Sequence, residues 1–241
     1  MTPARALRER IREELTQEIV EIARAQLAAA GAENLSLRAI ARDLGMAPSA
    51  VYRYFPSRDD LLTRLVIDAY DAVGEQVERA EATVARDDYM GRWLAAARAL
   101  RGWAVTHPHE YALIYGSPVR GYQAPESTVR AAMRDKIVYG RVISDAHRAG
   151  VLAVARPASP VTATLALDVE RVRAAVLPDV PDMAVINAVV AWSGLFGLIS
   201  LELFGHFNNI IEDASALFDQ SVLSLGELAG LPRPTPSPEE T

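Results

Sequence analysis

The chain has 241 residues, half of them hydrophobic and 23% charged, with no cysteine and a formal net charge of −6. That apolar content excludes a disordered chain, and the length fits one large or two small domains. Without cysteine there is no thiol catalysis, no disulfide and no cysteine-ligated zinc, which fits a reducing, cytoplasmic setting. The charged opening MTPARALRERIREE offers no apolar stretch for a secretory signal. The acidic total speaks against nucleic acid only as a sum, because it hides how charge is distributed along the chain.

Apolar residues spaced by three and four (Ile11, Leu15, Ile19, Ile22, Ala23, Leu27) predict a helix over 11–30, stopped by Gly31. Ser36 caps a short helix over 37–44, with Leu37, Ile40, Ala41 and Leu44 on one face and Gly45 at its end. Pro48 suits the first turn of a helix running through Tyr52 to about Phe55. Ser57 and Asp60 form a capping-box pattern that opens a long helix over 58–84. Further helices are predicted over 89–106, 109–115, 128–149, 162–176, 183–207 and 212–229, with loops at GSPVRGYQAPES and at 151–160. The tail from 231 to 241, with its prolines and no apolar pattern, is expected to be disordered. No segment alternates with period two, and there is no internal repeat. The predicted fold class is all-α, a three-helix unit over 1–60 followed by a helical body over 61–230.

Met183 to Leu201 is 19 consecutive residues without a charge, long enough for a membrane span. Asn187, Ser193 and Ser200 make it moderately polar. Glu202 closes it, and the nearest basic residues are Arg173 and Arg233, so cationic interface anchors are missing and no membrane association is expected. A helix apolar on this many faces is expected to be buried between other helices or between two subunits. Ala191, Gly194, Leu195, Leu198 and Leu201, with Leu217, Phe218, Val222 and Leu225 of the last helix, are the candidate interface of a homodimer with two helices from each subunit.

Residues 36–58 read SLRAIARDLGMAPSAVYRYFPSR, a short capped helix, a glycine turn and a second short helix, which is the helix-turn-helix pattern. Leu37, Ile40, Ala41, Leu44 and Val51 can close a small core with the first helix. The second helix then presents Ser49, Ala50, Arg53 and Tyr54 outward, and its small residues allow close approach to base edges. Tyr52 and Tyr54 can bond phosphates, and Arg58 can grip one at the start of the next helix. Charge agrees locally: this segment sums to +3, against −9 for the rest of the chain. Upstream, Arg5, Arg8 and Arg12 share a helical face and form a candidate phosphate-binding arm.

The segment LSLRAIARDLGMAPSAVYRYFPSRDDLL, residues 35–62, resembles the tetracycline-repressor (TetR/AcrR) family of bacterial transcriptional regulators, with Gly45, Val51-Tyr52, Phe55, Ser57 and Leu61-Leu62 at family-typical positions. HPHEYALIYGSPVRGYQAP (107–125) and AWSGLFGLISLELFGHF (191–207) resemble the regulatory domain of a subgroup named for a Trp-His-Gly signature. In that region this chain has Trp192-Ser193-Gly194. The resemblance implies a homodimer that binds a palindromic double-stranded DNA operator and responds to a small effector. By residue match, Ser36 and Arg38 begin the positioning helix, and Pro48, Ser49, Ala50, Tyr52, Arg53 and Tyr54 belong to the recognition helix. Ala47 stands where members often carry a capping serine.

In the body, Trp93, Trp103, Tyr111, Tyr115, Met133, Tyr139, Trp192 and Phe196 are candidates to line an apolar effector cavity, with ordinary core packing as the competing role for each. An enzyme is not expected. His107, His109, His147 and His206 bring no third ligand or triad at recognisable spacing, the loop G-S-P-V-R-G lacks the ending of a phosphate loop, and no cofactor is implied. The expected function is an effector-responsive DNA-binding regulator acting as a repressor. The alternative is a helical ligand-binding or scaffold protein without DNA competence.

Overall fold

The computed structural model describes residues 3–154 and 161–233; most of the 151–160 loop and all but the first residues of the expected tail lie outside that range. Eleven α-helices and no strand occur among the described residues. They fall into two compact units, one of residues up to Tyr70 together with His107–Ala131, the other of Asp71–Thr106 together with the chain from Ala132. The units therefore do not follow a single cut near residue 60: a piece of the expected body belongs with the N-terminal helices.

In the first unit, α1 (Pro3–Ala30), α2 (Leu37–Asp43), α3 (Pro48–Val51) and the start of α4 (Arg58–Ala82) enclose one core. Ile19, Val20, Ala23, Leu37, Ile40, Ala41, Val51, Phe55, Leu61, Leu62 and Leu65 are buried there. Helix α1 starts eight residues before the predicted position. Leu7 and Ile11 are more than half exposed, so the first turns carry no apolar stripe from which a helix could be read. The start of α4 follows the predicted capping box: the Ser57 N–H donates to Asp60 Oδ2 at 2.9 Å and the Asp60 N–H donates to Ser57 Oγ at 3.1 Å.

Helix α6 (Pro108–Tyr115) and the loop after it join this unit through side chains. Leu113, Val119 and Tyr122 pack against the core. Arg24 of α1 reaches Asp68 and Glu110, each at 3.2 Å. The Tyr70 hydroxyl donates to the Ile114 carbonyl at 3.1 Å. Tyr111 is buried and Tyr115 stands edge-on to Tyr70, so both rings serve this unit.

In the second unit, α5 (Tyr89–Thr106) packs against α8 (Arg134–Arg148), α10 (Asp182–Leu203) and α11 (Ala214–Leu228), while α9 (Ala163–Val176) packs on α8 and α10. Trp93, Ala96, Ala97, Leu100, Trp103 and Ala104 form the buried side of α5. Two glycines allow close helix approach: a Cβ on Gly140 would lie 2.0 Å from the Val176 carbonyl oxygen, and one on Gly226 would lie 2.7 Å from Met90 Sδ. The helix predicted over 128–149 is broken at Met133 into α7 (Val129–Ala132) and α8. The chain past α11 is anchored where the tail was expected to begin: Leu231 is buried, and its N–H donates to the Gly226 carbonyl at 3.0 Å.

Candidate nucleic-acid interface and cavity

The recognition unit is built by local chemistry. Ser36 is extended, and its Oγ accepts the Ala39 N–H at 3.3 Å, which fixes the start of α2. Gly45 has φ 65°, and the Met46 N–H then returns to the Ala41 carbonyl at 2.8 Å, a helix stop that a side chain at Gly45 would strain. Ala47 at the next N-cap is extended and makes no side-chain cap, while Pro48 opens α3. Replacing Ala47 with serine supplies the missing acceptor and is expected to raise the stability of the first unit by about 1 kcal/mol, measured as the midpoint of thermal unfolding; an unchanged midpoint would contradict this.

Helix α3 is shorter than predicted and ends at Val51. Beyond it the Arg53 and Tyr54 N–H groups bond three residues back, to Ala50 and Val51, at 3.3 and 2.9 Å. Pro56 disfavours helical geometry at Phe55, which together with buried Val51 holds the segment on the core. Arg38, Pro48, Ser49, Tyr52 and Arg53 face solvent, and Ala50 is half-buried.

Two predicted contact residues lie differently from expectation. Tyr54 is not fully outward: it is half-buried against the core, with the Arg12 guanidinium 5.8 Å from its ring centroid. Arg58 is drawn inward, its Nη2 donating to the Ala32 carbonyl at 2.7 Å, so it ties the start of α4 to the turn after α1. In the upstream arm Arg5 pairs with Glu9 at 3.2 Å on the exposed surface, where such a pair is worth little.

The second unit contains a cavity of about 290 Å³ between α5, α8, α9 and α10. Trp93, Met133, Tyr139 and Trp192 line it, together with Lys136 and aliphatic side chains including Ile143, Val172 and Val176. Trp103, Tyr111, Tyr115 and Phe196 are not among its lining. Trp103 is core, and Phe196 packs against Trp192 with the ring planes tilted by 45° and the centroids 4.5 Å apart.

The polar groups of this wall are few. Trp93 Nε1 donates to the Val222 carbonyl at 3.0 Å. The Tyr139 hydroxyl and Trp192 Nε1 are buried and have no hydrogen-bond partner. Burial, with the Asp135 carboxylate nearby, pushes the Tyr139 phenol well above its ordinary pKa, so it is a neutral O–H. Lys136 pairs with buried Asp135 at 2.9 Å, and its ammonium lies 5.1 Å from the Trp192 ring centroid. Lys136 was missed in the sequence, although one signal was available: it is the chain's only lysine among 25 basic residues.

The family description "Bacterial regulatory proteins, tetR family" matches residues 19–65, and "Tetracyclin repressor-like, C-terminal domain" matches residues 93–225. The second match spans both body segments that carry the resemblance, 107–125 and 191–207. HTH-type transcriptional regulator Rv1816 of Mycobacterium tuberculosis is 41% identical over 210 residues, covering 86% of this chain and 89% of that protein. The chain belongs to the TetR family. A second regulator described as HTH-type from the same organism, Rv0681, is 30% identical over 219 residues, covering 91% of this chain and 82% of the other. The crystal structure of the regulatory protein SCO4313 superposes with a TM-score of 0.73 at 37% identity, covering 90% of this chain and 97% of that one.

For a TetR-family chain the candidate dimer face matters, and the structure redistributes it. Ala191, Leu195, Phe218 and Val222 are at most 2% exposed within the second unit itself, so they do not face a partner. Periodicity does not orient them, because α10 is apolar on nearly every side and has no polar face to mark which way it points. Gly194 provides room for Leu225 of the same chain: a Cβ there would lie 2.8 Å from Leu225 Cδ2. Leu198 and Leu217 are half-buried, and Leu201 is exposed, as are Val190 and Phe204 along α10 and its end. Helix α10 is long and apolar enough to cross a membrane by length and composition, but Ala184, Val185, Ala188 and Ile199 are buried in this unit along with Ala191 and Leu195.

Proposed function

We propose that this TetR-family regulator is a cytoplasmic repressor that binds a palindromic operator as a homodimer and is released by a small effector held in the cavity of its second unit. The observation that carries the reading is the exposed run Pro48, Ser49, Tyr52 and Arg53 on a core-anchored helix-turn-helix. In this reading Ser49, Ala50 and Arg53 meet base edges, while Ser36, Arg38 and Tyr52 position the phosphate backbone. Tyr54 and Arg58 hold the unit's shape and contact DNA only at its edge. The exposed Val190, Leu201 and Phe204 support a second copy covering α10, because a lone chain would leave that apolar stripe in water.

Coupling has a candidate route within the second unit. Arg134 opens α8 between Met133 and Lys136, two cavity residues one position before it and two after. Its guanidinium binds Glu78 at 2.9 and 2.6 Å and Asp71 at 2.8 Å, all on α4. These bonds hold the Glu78 carboxyl below its usual pKa, so the pair stays ionised at neutral pH. A ligand that shifts the start of α8 therefore loads α4, the helix that begins in the recognition unit.

The test uses the full chain and operator DNA from its own upstream region, with sedimentation giving the number of chains per duplex. Arg53→Ala is expected to weaken specific binding by about 1–3 kcal/mol and relax sequence preference. Arg8→Ala is expected to weaken binding evenly across sequences and lower the salt slope by about one. Arg8 serves better here than Arg12, whose guanidinium is engaged with Tyr54. Equal losses on specific and random duplex for Arg53→Ala would remove Arg53 from base readout.

A further inference from the structure

The wall of the second-unit cavity is almost wholly apolar. Met133, Val172, Val176 and Val189 line it with Trp192, and the aromatic residues around it bring no polar atom to its surface. Trp93 Nε1 is bonded to the Val222 carbonyl at 3.0 Å. The Tyr139 hydroxyl and Trp192 Nε1 are enclosed by protein, so these side chains offer a ligand only ring carbon. Ala175 of α9 and Val189 of α10 belong to the same lining and are exposed, so the cavity opens to water between those two helices.

Lys136 is the one charged residue of this wall among the described residues, and its ammonium is engaged. Nζ donates to both Asp135 carboxylate oxygens, at 2.9 and 3.2 Å, and lies 5.1 and 5.6 Å from the Trp192 and Phe196 ring centroids. An anionic ligand would have to compete with the buried Asp135 carboxylate for it, and a cationic ligand would face it without a counter-charge. A carbonyl, hydroxyl or amide carried into the cavity would give up its hydrogen bonds to water and find no replacement. The volume sets the size. An apolar cavity of about 150 Å³ holds benzene, so the one here, about 290 Å³, suits a body of roughly ten to twelve carbon atoms.

We propose that this cavity takes an uncharged hydrocarbon body of about ten carbon atoms, held by apolar contact and shape without a hydrogen bond to the protein. The assignment rests on the reading of the cavity as the effector site and adds the chemical class of the effector. Selectivity then works by exclusion: a polar or charged group is rejected because nothing in the wall replaces its water.

Calorimetric titration of the full chain with benzene, ethylbenzene and butylbenzene tests it, alongside butyrophenone and 4-phenylbutyrate as polar and anionic relatives of the longest. Affinity is expected to rise about fourfold per added methylene, the gain from burying one such group. Butyrophenone, which carries a carbonyl beside the ring, and 4-phenylbutyrate are each expected to bind at least about tenfold more weakly than butylbenzene. Val172→Phe fills part of the cavity and is expected to weaken butylbenzene at least about tenfold while changing benzene less than about threefold. Ala175→Phe is a second variant with the same expected pattern; its site lies one helical turn further along the same face of α9 and is exposed, so the fold is retained. If affinity does not rise with chain length, if butyrophenone equals butylbenzene, or if 4-phenylbutyrate exceeds it, the hydrocarbon assignment falls while the cavity remains a ligand site. If none of the five binds, the effector reading of the cavity falls with it. If both variants leave the butylbenzene affinity unchanged, the hydrocarbon binds elsewhere and the assignment is overturned.

Discussion

Gly140→Ala is expected to destabilise the second unit by roughly 3 kcal/mol, the upper end of what overpacking costs. The added Cβ would stand 2.0 Å from the Val176 carbonyl oxygen and 2.9 Å from its carbon, so the obstacle is backbone and cannot swing aside as a side chain would. Nor is the end of α9 free to retreat, because the residues after it, Leu177 and Val180, are buried. Gly226→Ala, whose Cβ would meet the flexible Met90 Sδ at 2.7 Å, is a milder case. Gly102→Ala is the control: nothing lies within 4 Å of the new carbon, and helix propensity alone should raise stability by about 0.5–1 kcal/mol. All three tryptophans, Trp93, Trp103 and Trp192, lie in the second unit, so urea unfolding followed by tryptophan fluorescence reads this unit without the first. An unchanged midpoint for Gly140→Ala would mean that α8 and α9 do not approach as closely as described.

The recognition unit was legible in the sequence because its geometry is set by residues three or four apart. Ser36 with Ala39, Gly45 after α2, Pro48 at the start of α3 and Ser57 with Asp60 each announce a backbone conformation through local chemistry, and each is found in place. What was not legible depends on partners far along the chain. Arg58 looks like a phosphate ligand until the Ala32 carbonyl, 26 residues away, is seen to accept its hydrogen bond. The His107–Ala131 segment reads as part of the body, yet it packs on the N-terminal core through Leu113 and Tyr122. Helix α10 gives no orientation signal, so the direction faced by Leu195 could not be read from periodicity. Within the cavity, Met133, Tyr139 and Trp192 have the size and apolar character that core residues share, and only packing separates them from Trp103.

The same dependence on distant partners governs Arg92, which sequence gives no reason to place inside. Its side chain is 0% exposed. Nε meets Glu81 Oε1 at 2.6 Å, Nη2 meets Asp145 Oδ2 at 2.7 Å and Nη1 donates to the Arg86 carbonyl at 2.9 Å. Burial alone would lower the guanidinium pKa, but its hydrogen bonds to the Asp145 and Glu81 carboxylates outweigh it and hold the group above its ordinary value. Arg92→Ala would strand Glu81, itself 2% exposed, leaving Arg86 at 2.8 Å as its remaining cation among the described residues. The expected loss is about 3–5 kcal/mol, the usual cost of removing one member of a buried ionic group. Tryptophan-monitored urea unfolding should show the midpoint falling by that loss divided by the slope, with the slope itself unchanged. The double variant Arg92→Met, Glu81→Met removes the stranded charge and fills the volume, and is expected to recover most of the loss. A double variant no better than Arg92→Ala would show that the damage comes from lost packing around the guanidinium rather than from a carboxylate left without its counter-ion.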